Sequence, residues 1–334
     1  MTVESSLVAR RFVLVAVVIP AVITLIGIVI QLIALPHVPA TVATHWNAAG
    51  QPDGFAPAWL VPLTTLLLGL GVPALLALFA APGLRRGDRG VTYRFLGATG
   101  TWVSALIVVL FTWTFVMQKG AESSAEATGI FLPLVVALVV ATGLALVAWF
   151  LQPATETVRS LSRAPQDLAL ASGERVVWVH GAAMTPAVMW VLWGVSIVLT
   201  GAGIIAVAAD SGASGWILAT TGLVLLIAVG ATTAFTVVVN HAGLTVRSVW
   251  GVPRFSVPLS DIAAVEVADV MPMGEFGGWG VRMAPGRFGV VLRAGQAIEV
   301  TRNDGRHFVV TTDDAETGAS LLSALAERAN AATT

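Results

Sequence analysis

Long apolar runs dominate the pattern of the chain, and the charged residues lie in short stretches between them. A helix needs about 20 apolar residues to cross the ~30 Å hydrocarbon core of a bilayer. Six segments meet this length without an Asp, Glu, Lys, Arg or His in their interior: 12–35, 58–81, 95–118, 129–152, 186–209 and 215–239. The pattern therefore predicts six transmembrane helices.

The pattern changes after residue 239, where short β-type runs are separated by turns. The candidate strands are 244–249, 255–257, 262–267, 289–292, 297–300 and 306–310. Asn303, Asp304 and Gly305 predict a hairpin turn before the last of these strands. This region is therefore predicted to be a small β-rich domain.

A closing helix is predicted at the C-terminal end of this domain. Asp313 followed by Glu316 is typical of a capping box at a helix start. One apolar face of the helix is formed by Leu321, Leu322 and Leu325. The predicted fold class is an α-helical polytopic membrane protein with six transmembrane helices and a small C-terminal β-rich domain closed by a helix.

Three domains follow from these patterns. Residues 1–82 form the first two spans with their connecting loop, and residues 83–239 form four further spans. Residues 240–334 form the cytoplasmic domain.

Positive charge sets the predicted orientation. Arginines precede the first span and occupy the loops after the second and fourth spans: Arg10, Arg11, Arg85, Arg86, Arg89, Arg94, Arg159, Arg163 and Arg175. The intervening loops hold Lys119 as their single basic residue. Because basic loops stay in the cytoplasm, we predict a multi-pass protein of the plasma membrane with both termini cytoplasmic.

Composition supports the bilayer as the main surrounding of the chain. Hydrophobic residues make up 56% of it and charged residues 11%, whereas an average soluble domain carries about 25% charged residues. The absence of cysteine excludes disulfides, zinc–thiolate sites and iron–sulfur clusters. With a net charge of −1, bulk charge indicates no partner, and we expect no nucleic acid as a partner.

The loop between the first two spans, residues 36–55, carries two turn signals, at 47–50 and 52–54. We predict that His45, Asn47 and Asp53 converge between these turns. Two interpretations stay open. The loop is either a recognition site for an external peptide, lipid or ion, or a structural hairpin whose His and Asp satisfy the turns.

This loop also carries a family resemblance. The segment His45-Trp46-Asn47-Ala48-Ala49-Gly50-Gln51-Pro52-Asp53-Gly54 resembles the H-[WF]-[ND]-x-x-G-x-P-D signature of the SdpI-like bacterial membrane family, much of which has no known function. The resemblance covers about residues 12–80. The namesake branch is linked to immunity against a secreted peptide toxin and to signalling by holding a transcriptional repressor at the membrane. This chain departs from that branch in its long C-terminal domain. The candidate binding residues of the loop are His45, Trp46, Asn47, Gly50, Pro52, Asp53 and Gly54.

The C-terminal region is similar to bacterial pleckstrin-homology-like domains attached to membrane spans, over about residues 240–330. That resemblance implies an adaptor for lipids or proteins. Within it, the glycine-rich segment 274–287 is either a mobile loop that touches membrane or ligand, or a bulge between strands. Its candidate binding residues are Trp279, Arg282 and Arg287.

No motif indicates catalysis, and no span carries the ionisable residues that ion-coupled transport usually requires. His37, His45 and Asp53 have the ligand types of a metal site but lack regular spacing, so we expect neither metal nor cofactor.

We predict a non-catalytic sensor, immunity factor or adaptor. Its outer loop would bind an external peptide or small ligand, and its cytoplasmic domain a regulator protein or an anionic lipid headgroup. The alternative is small-molecule or lipid permeation, or a structural role.

Overall fold

The computed structural model of the chain describes residues 3–127, 129–154, 161–171, 174–209 and 213–331. These residues include six helices long and apolar enough to cross a membrane, which confirms the six predicted spans. The spans are Leu7–His37, Leu60–Arg85, Val91–Val116, Phe131–Leu151, Pro186–Ala208 and Ser214–Thr232. The chain is therefore a multi-pass membrane protein, and it forms two compact units, residues 1–158 and 159–334.

The first unit is a helical bundle with one β-hairpin. Its helices are α1 (Val3–Val13), α2 (Ile19–Ala34), α3 (Leu60–Arg85), α4 (Val91–Val116) and α5 (Phe131–Leu151). A π-helical turn, Leu14–Val18, joins α1 to α2 within the first span. The strands β1 (Thr41–Trp46) and β2 (Pro52–Pro57) pair in antiparallel fashion between the first two spans.

Helix α4 packs against α2, α3 and α5. The contact is close where α2 carries Gly27, because a β-carbon there would overlap Val108 of α4. Buried polar groups add to the packing: the amide Nε2 of Gln31 donates hydrogen bonds of 3.0 Å to the hydroxyls of Thr65 and Thr112. Small residues and interhelical hydrogen bonds are the usual means by which membrane helices associate.

The second unit combines two spans with β-structure. Its helices are α6 (Pro186–Ala208), α7 (Ala213–Thr232), α8 (Pro272–Phe276) and α9 (Ala315–Ala331). Its strands are β3 (Ser162–Arg163), β4 (Trp178–Ala183), β5 (Ala234–Asn240), β6 (Gly243–Ser248), β7 (Arg254–Val257), β8 (Ile262–Val270), β9 (Gly280–Ala284), β10 (Arg287–Val291), β11 (Gly295–Arg302) and β12 (His307–Thr311).

The strands form two sheets, which confirms the predicted β-rich region closed by a helix. One sheet is four-stranded and antiparallel, in the order β4-β5-β6-β7. The other has the order β3-β8-β11-β12-β10-β9, with β10 parallel to β12 and the other pairs antiparallel. Val237 of the first sheet, Val267 of the second and Leu322 of α9 belong to one buried core, so α9 packs with both sheets.

A membrane hairpin is inserted between two neighbouring strands of the first sheet. Helices α6 and α7 follow β4 and precede β5, although Ala183 and Ala234 are paired directly across these strands. The two helices approach closely at Gly203 and Gly222, where a β-carbon would overlap the backbone of Ala219 or Thr200. The β-structure and these two spans therefore belong to one compact unit.

Two boundaries differ from the sequence prediction. The sixth span was predicted to run to residue 239, but α7 ends at Thr232 and β5 begins at Ala234. Residues 235–239 are apolar and mostly β-branched, and an apolar run of this kind does not distinguish a strand from the end of a helix. The β-rich region also begins before residue 240, because β3, β4 and β5 lie upstream of it.

The predicted hairpin turn at 303–305 is confirmed: the N–H of Gly305 donates to the carbonyl of Arg302 between β11 and β12. The predicted capping box is wrong. Asp314 directly precedes α9, while Asp313 pairs with Arg293.

Glu316, the other member of the predicted box, faces the upstream segment of the unit. It pairs with the guanidinium of Arg163 and accepts a 3.0 Å hydrogen bond from the N–H of Gln166. A tertiary contact across 150 residues therefore replaces the local capping contact.

Candidate functional site

The β1–β2 hairpin is fixed to the helices around it. Gln118 is 1% exposed, and its side chain hydrogen-bonds to the backbone of β1 as a neighbouring strand would. Its Oε1 accepts from the N–H of Ala43 at 2.8 Å, and its Nε2 donates to the Ala43 carbonyl at 3.1 Å. The indole N–H of Trp46 donates to the Ala127 carbonyl at 2.5 Å. These contacts make the loop a positioned element of the bundle.

The turn predicted at 47–50 is present. The Oδ1 of Asn47 accepts hydrogen bonds from the N–H groups of Ala49 and Gln51 at 2.9 and 3.0 Å. Gly50 has φ +76°, and a β-carbon there would lie 2.9 Å from the Phe131 ring. Asn47 and Gly50 are thus required by the folding of the hairpin itself.

The second predicted turn, at 52–54, is wrong, because these residues lie in β2. Pro52 is the register partner of Trp46, and Gly54 that of His45. A β-carbon on Gly54 would lie 2.7 Å from the β-carbon of His45. Glycine at this position therefore lets the two strands approach.

His45 and Asp53 come together on the surface of the hairpin. Nδ1 of His45 lies 2.5 Å from Oδ1 of Asp53, with side chains that are 73% and 44% exposed. Asn47, which was predicted to join them, is instead used by its own turn. His37 contacts the carbonyl of Ile33 through its Nδ1 at 3.3 Å. Across the described part of the chain, no group of three or more His, Cys, Asp or Glu could hold a metal ion.

An apolar cavity of about 220 Å³ lies under the hairpin, where β1 and β2 cover α3 and α4. Its lining includes Thr44, Ala56, Leu60, Thr64, Phe111 and Phe115. The hydroxyl of Thr64 donates to carbonyls of its own helix, so it presents no donor to the cavity. Sequence patterns missed this cavity because its lining residues lie between positions 43 and 115 and come together only when the hairpin folds over α3 and α4.

The part of the chain that contains the hairpin also matches a protein-family model. Residues 22–69 match a family model described as "Domain of unknown function (DUF1648)". The match includes most of α2, the whole hairpin and the first part of α3. No curated protein and no solved structure matched the chain.

The predicted binding residues of the glycine-rich segment 274–287 are largely taken up by the fold. The Arg287 side chain is 9% exposed, and its Nη1 lies 2.6 Å from Glu275 and its Nη2 3.1 Å from Glu299. Trp279 is partly buried and packs against the core. Arg282 is exposed, and its Nε donates to the Trp279 carbonyl at 2.7 Å. The segment includes the end of α8, the whole of β9 and the turn into β10, so it is neither a free loop nor a bulge.

A second cavity, of about 480 Å³, lies between residues 164–169, β8 and α9. Strand β3 pairs with β8 at Val267 and Ala268, and no strand among the described residues covers the β8 edge from Ile262 to Glu266. Ser320 lines this groove; it is 7% exposed, and its hydroxyl has no hydrogen-bond partner among the described residues. No local pattern could predict the groove, since one wall comes from about 100 residues upstream of the others.

Proposed function

We propose that the chain is a non-catalytic membrane sensor and adaptor whose outer hairpin binds an external amphipathic peptide or small ligand. The observation that carries this proposal is the apolar cavity beneath a hairpin that is hydrogen-bonded to its surroundings and that also carries the exposed His45–Asp53 pair. Apolar pockets with a few convergent polar groups are the usual form of ligand sites.

The volume of the cavity indicates that it holds one apolar group of a ligand and not a whole ligand. A volume of about 220 Å³ is below the ~300–1,000 Å³ of pockets for complete small molecules. One apolar side chain or a short acyl segment fits it, while the polar remainder of the ligand meets His45 and Asp53. An amphipathic peptide has this combination.

The SdpI-like resemblance supports the peptide, because its signature residues lie in the segment that forms the hairpin. Immunity to a secreted toxin requires an outward-facing loop. The distribution of arginines favours this orientation, with the hairpin outside and the sheets of the second unit in the cytoplasm.

The adaptor role is supported by the second unit. A four-stranded antiparallel sheet, the antiparallel strands β8, β11 and β12, and a closing helix favour the pleckstrin-homology-like interpretation. Extended peptides often add to an uncovered sheet edge. We place a cytoplasmic regulator's extended segment on the β8 edge, next to Ser320.

The outer site is tested with cells that carry the chain and are challenged with a panel of secreted amphipathic peptides. We expect protection or a transcriptional response with the unaltered chain. This effect should be lost with His45→Ala plus Asp53→Ala, and with Ala56→Phe, which fills the cavity. Lys119→Ala, an exposed change nearby, serves as the control. Unchanged responses in both test variants would rule out the hairpin as the recognition site.

The proposed docking of a regulator at β8 is tested by crosslinking the chain to its partners in membranes and identifying the captured proteins. Ser323→Trp fills the groove and should remove any captured regulator. Ser256→Trp, exposed on the other sheet, should retain it. Capture that is equal for both variants contradicts docking at β8.

Permeation is a second candidate because of one observation. Gln31 is fully buried within the bundle, and its Oε1 has no hydrogen-bond partner in the part of the chain that the structure describes. A polar group left unpaired between spans is typical of a water-accessible path. Flux of a small neutral solute into liposomes containing the purified chain, compared with a Gln31→Leu variant, tests this alternative. A sensor and adaptor should show no flux above that of empty liposomes.

A further inference from the structure

The turn between β6 and β7 exposes three large apolar side chains together. Val249, Trp250 and Val252 are 66%, 57% and 74% exposed. Exposed apolar clusters of this kind mark interaction surfaces. The position of the turn indicates which surface it meets.

The turn lies beside the end of a membrane span. The indole of Trp250 packs directly on Gly230, where a β-carbon would overlap the ring. Gly230 belongs to the last turn of α7, inside the span Ser214–Thr232. Val249 is also tied to this region, because its N–H donates to the Ala234 carbonyl at 3.2 Å. The apolar tip is thus held at the depth of the final turn of a transmembrane helix.

Three backbone N–H groups of the tip are hydrogen-bonded within the protein, those of Val249, Trp250 and Gly251. The N–H of Gly251 donates to the Ser248 carbonyl at 2.8 Å, and the N–H of Ser248 to the Pro253 carbonyl at 2.9 Å. The N–H of Trp250 donates to the Ser248 hydroxyl at 3.3 Å. Backbone groups satisfied within the hairpin cost little when the surrounding water is replaced by lipid.

Two arginines lie directly behind the tip. Arg247 of β6 and Arg254 of β7 are register partners, and both are exposed. Neither forms an ion pair with any of the residues that the structure describes. Like charges placed opposite each other destabilise a strand pair, so the arrangement calls for an anion between them.

We propose that the β6–β7 tip enters the bilayer interface beside α7 and that Arg247 and Arg254 together bind the phosphate of an anionic lipid headgroup. The dimensions agree. Arg247 precedes Val249 by two residues, or about 7 Å along a strand, and each headgroup layer is about 5–8 Å thick. The tip therefore reaches the acyl boundary while the arginines lie at the level of the phosphates. Tryptophan is favoured at this boundary.

The chain has no cysteine, so a single Val252→Cys change accepts a fluorescent label at one site. The labelled full chain is placed in nanodiscs and exposed to iodide in solution and to nitroxide on the lipid. We expect the label to be quenched by the lipid nitroxide and protected from iodide. Ala242→Cys, exposed at the other end of β6, is the matched control and should show the reverse. Equal iodide quenching at both sites overturns the insertion.

The arginine pair is tested by lipid composition. Nanodiscs with phosphatidylglycerol should protect the Val252 label more than nanodiscs with phosphatidylcholine alone. Arg247→Gln plus Arg254→Gln should abolish this gain in protection. The gain reflects the affinity for the anionic headgroup, which we expect each arginine to raise about fivefold. A gain that survives in the double variant overturns the phosphate site. Inorganic phosphate or soluble glycerophosphate should not replace the lipid, and equal protection by either contradicts a headgroup as the ligand.

Discussion

At the scale of single residues, burial decides which charged side chains are structural. Arg287 was a candidate for ligand binding, but its guanidinium lies between two carboxylates whose side chains are 1% exposed. It also lies 4.8 Å from the centre of the Phe276 ring. A charge enclosed in this way links β10 to α8 and β11 and is not available to a partner.

We expect Arg287→Met to destabilise the second unit by about 3–5 kcal/mol, because it removes the guanidinium that lies against the buried carboxylates of Glu275 and Glu299. Arg282→Met, an exposed change in the same segment, should cost less than about 1 kcal/mol. Denaturant unfolding of the purified chain, followed by circular dichroism, measures the difference. Similar midpoints for the two variants would contradict a structural role for Arg287.

Asp314 gives a pH dependence with a defined sign. The indole N–H of Trp178 first, and the Thr317 hydroxyl second, hold the pKa of the Asp314 carboxyl below its usual range. A carboxyl with a lowered pKa in the folded state adds stability above its unfolded pKa. That stability is lost as the pH falls through the folded value.

We therefore expect Asp314→Asn to lower the unfolding midpoint at about pH 7 and to change it little at about pH 2. Trp178→Phe removes the principal donor at 3.0 Å, so Asp314→Asn should have less effect in that background. Thermal unfolding at both pH values tests this. An effect of Asp314→Asn that is independent of pH contradicts the charge-based explanation.

At the scale of elements, the β1–β2 hairpin depends on a side chain from outside it. Gln118 pairs with both backbone groups of Ala43. Gln118→Leu leaves that N–H and C=O unpaired in a buried site, at a cost of about 1–3 kcal/mol for each group. We expect faster amide hydrogen exchange across residues 41–57. Lys119→Gln, next in the chain and exposed, should leave the exchange unchanged.

The same element shows how far sequence reasoning reaches. The six spans were predictable because the bilayer imposes a length and excludes charge. The turn at Asn47 and Gly50 was predictable because its side chains act locally. The strands of the hairpin were not, since Gln118 stabilises β1 from 75 residues away.

The candidate site also divides into features that local sequence predicts and features that depend on distant contacts. The sequence predicted that His45, Asn47 and Asp53 converge between two turns, whereas His45 and Asp53 are brought together by the register of two strands that it did not predict. The cavity beneath the hairpin and the groove along β8 arise from segments that are distant in the chain. Periodicity describes one element at a time and carries no information on such surfaces.

At the scale of the whole molecule, the insertion of α6–α7 into a sheet allows a sharp test of the folding unit. Ala183 and Ala234 face each other across β4 and β5, so an Asn-Gly turn can join them in place of residues 184–233. We expect residues 161–334 with this replacement, and with serine at Val249, Trp250 and Val252, to be soluble and to unfold cooperatively.

The control for this excision is residues 234–334 alone. It lacks β4 and with it Trp178, which packs against the core. It should aggregate or unfold without cooperativity, because the edge of β5 is uncovered. Cooperative folding of this shorter piece would show that β4 is not part of the folding unit.

The separation of β4 from β5 also orders events during biosynthesis. A chain leaves the ribosome from its N-terminus, so β4 emerges first and its partner only after both helices of the membrane hairpin. The four-stranded sheet cannot close until that hairpin has entered the bilayer and brought Ala183 back beside Ala234. A chain whose hairpin fails to insert keeps an open strand edge, which can pair with other chains and aggregate. Membrane insertion is in this way a checkpoint for folding of the β-rich region.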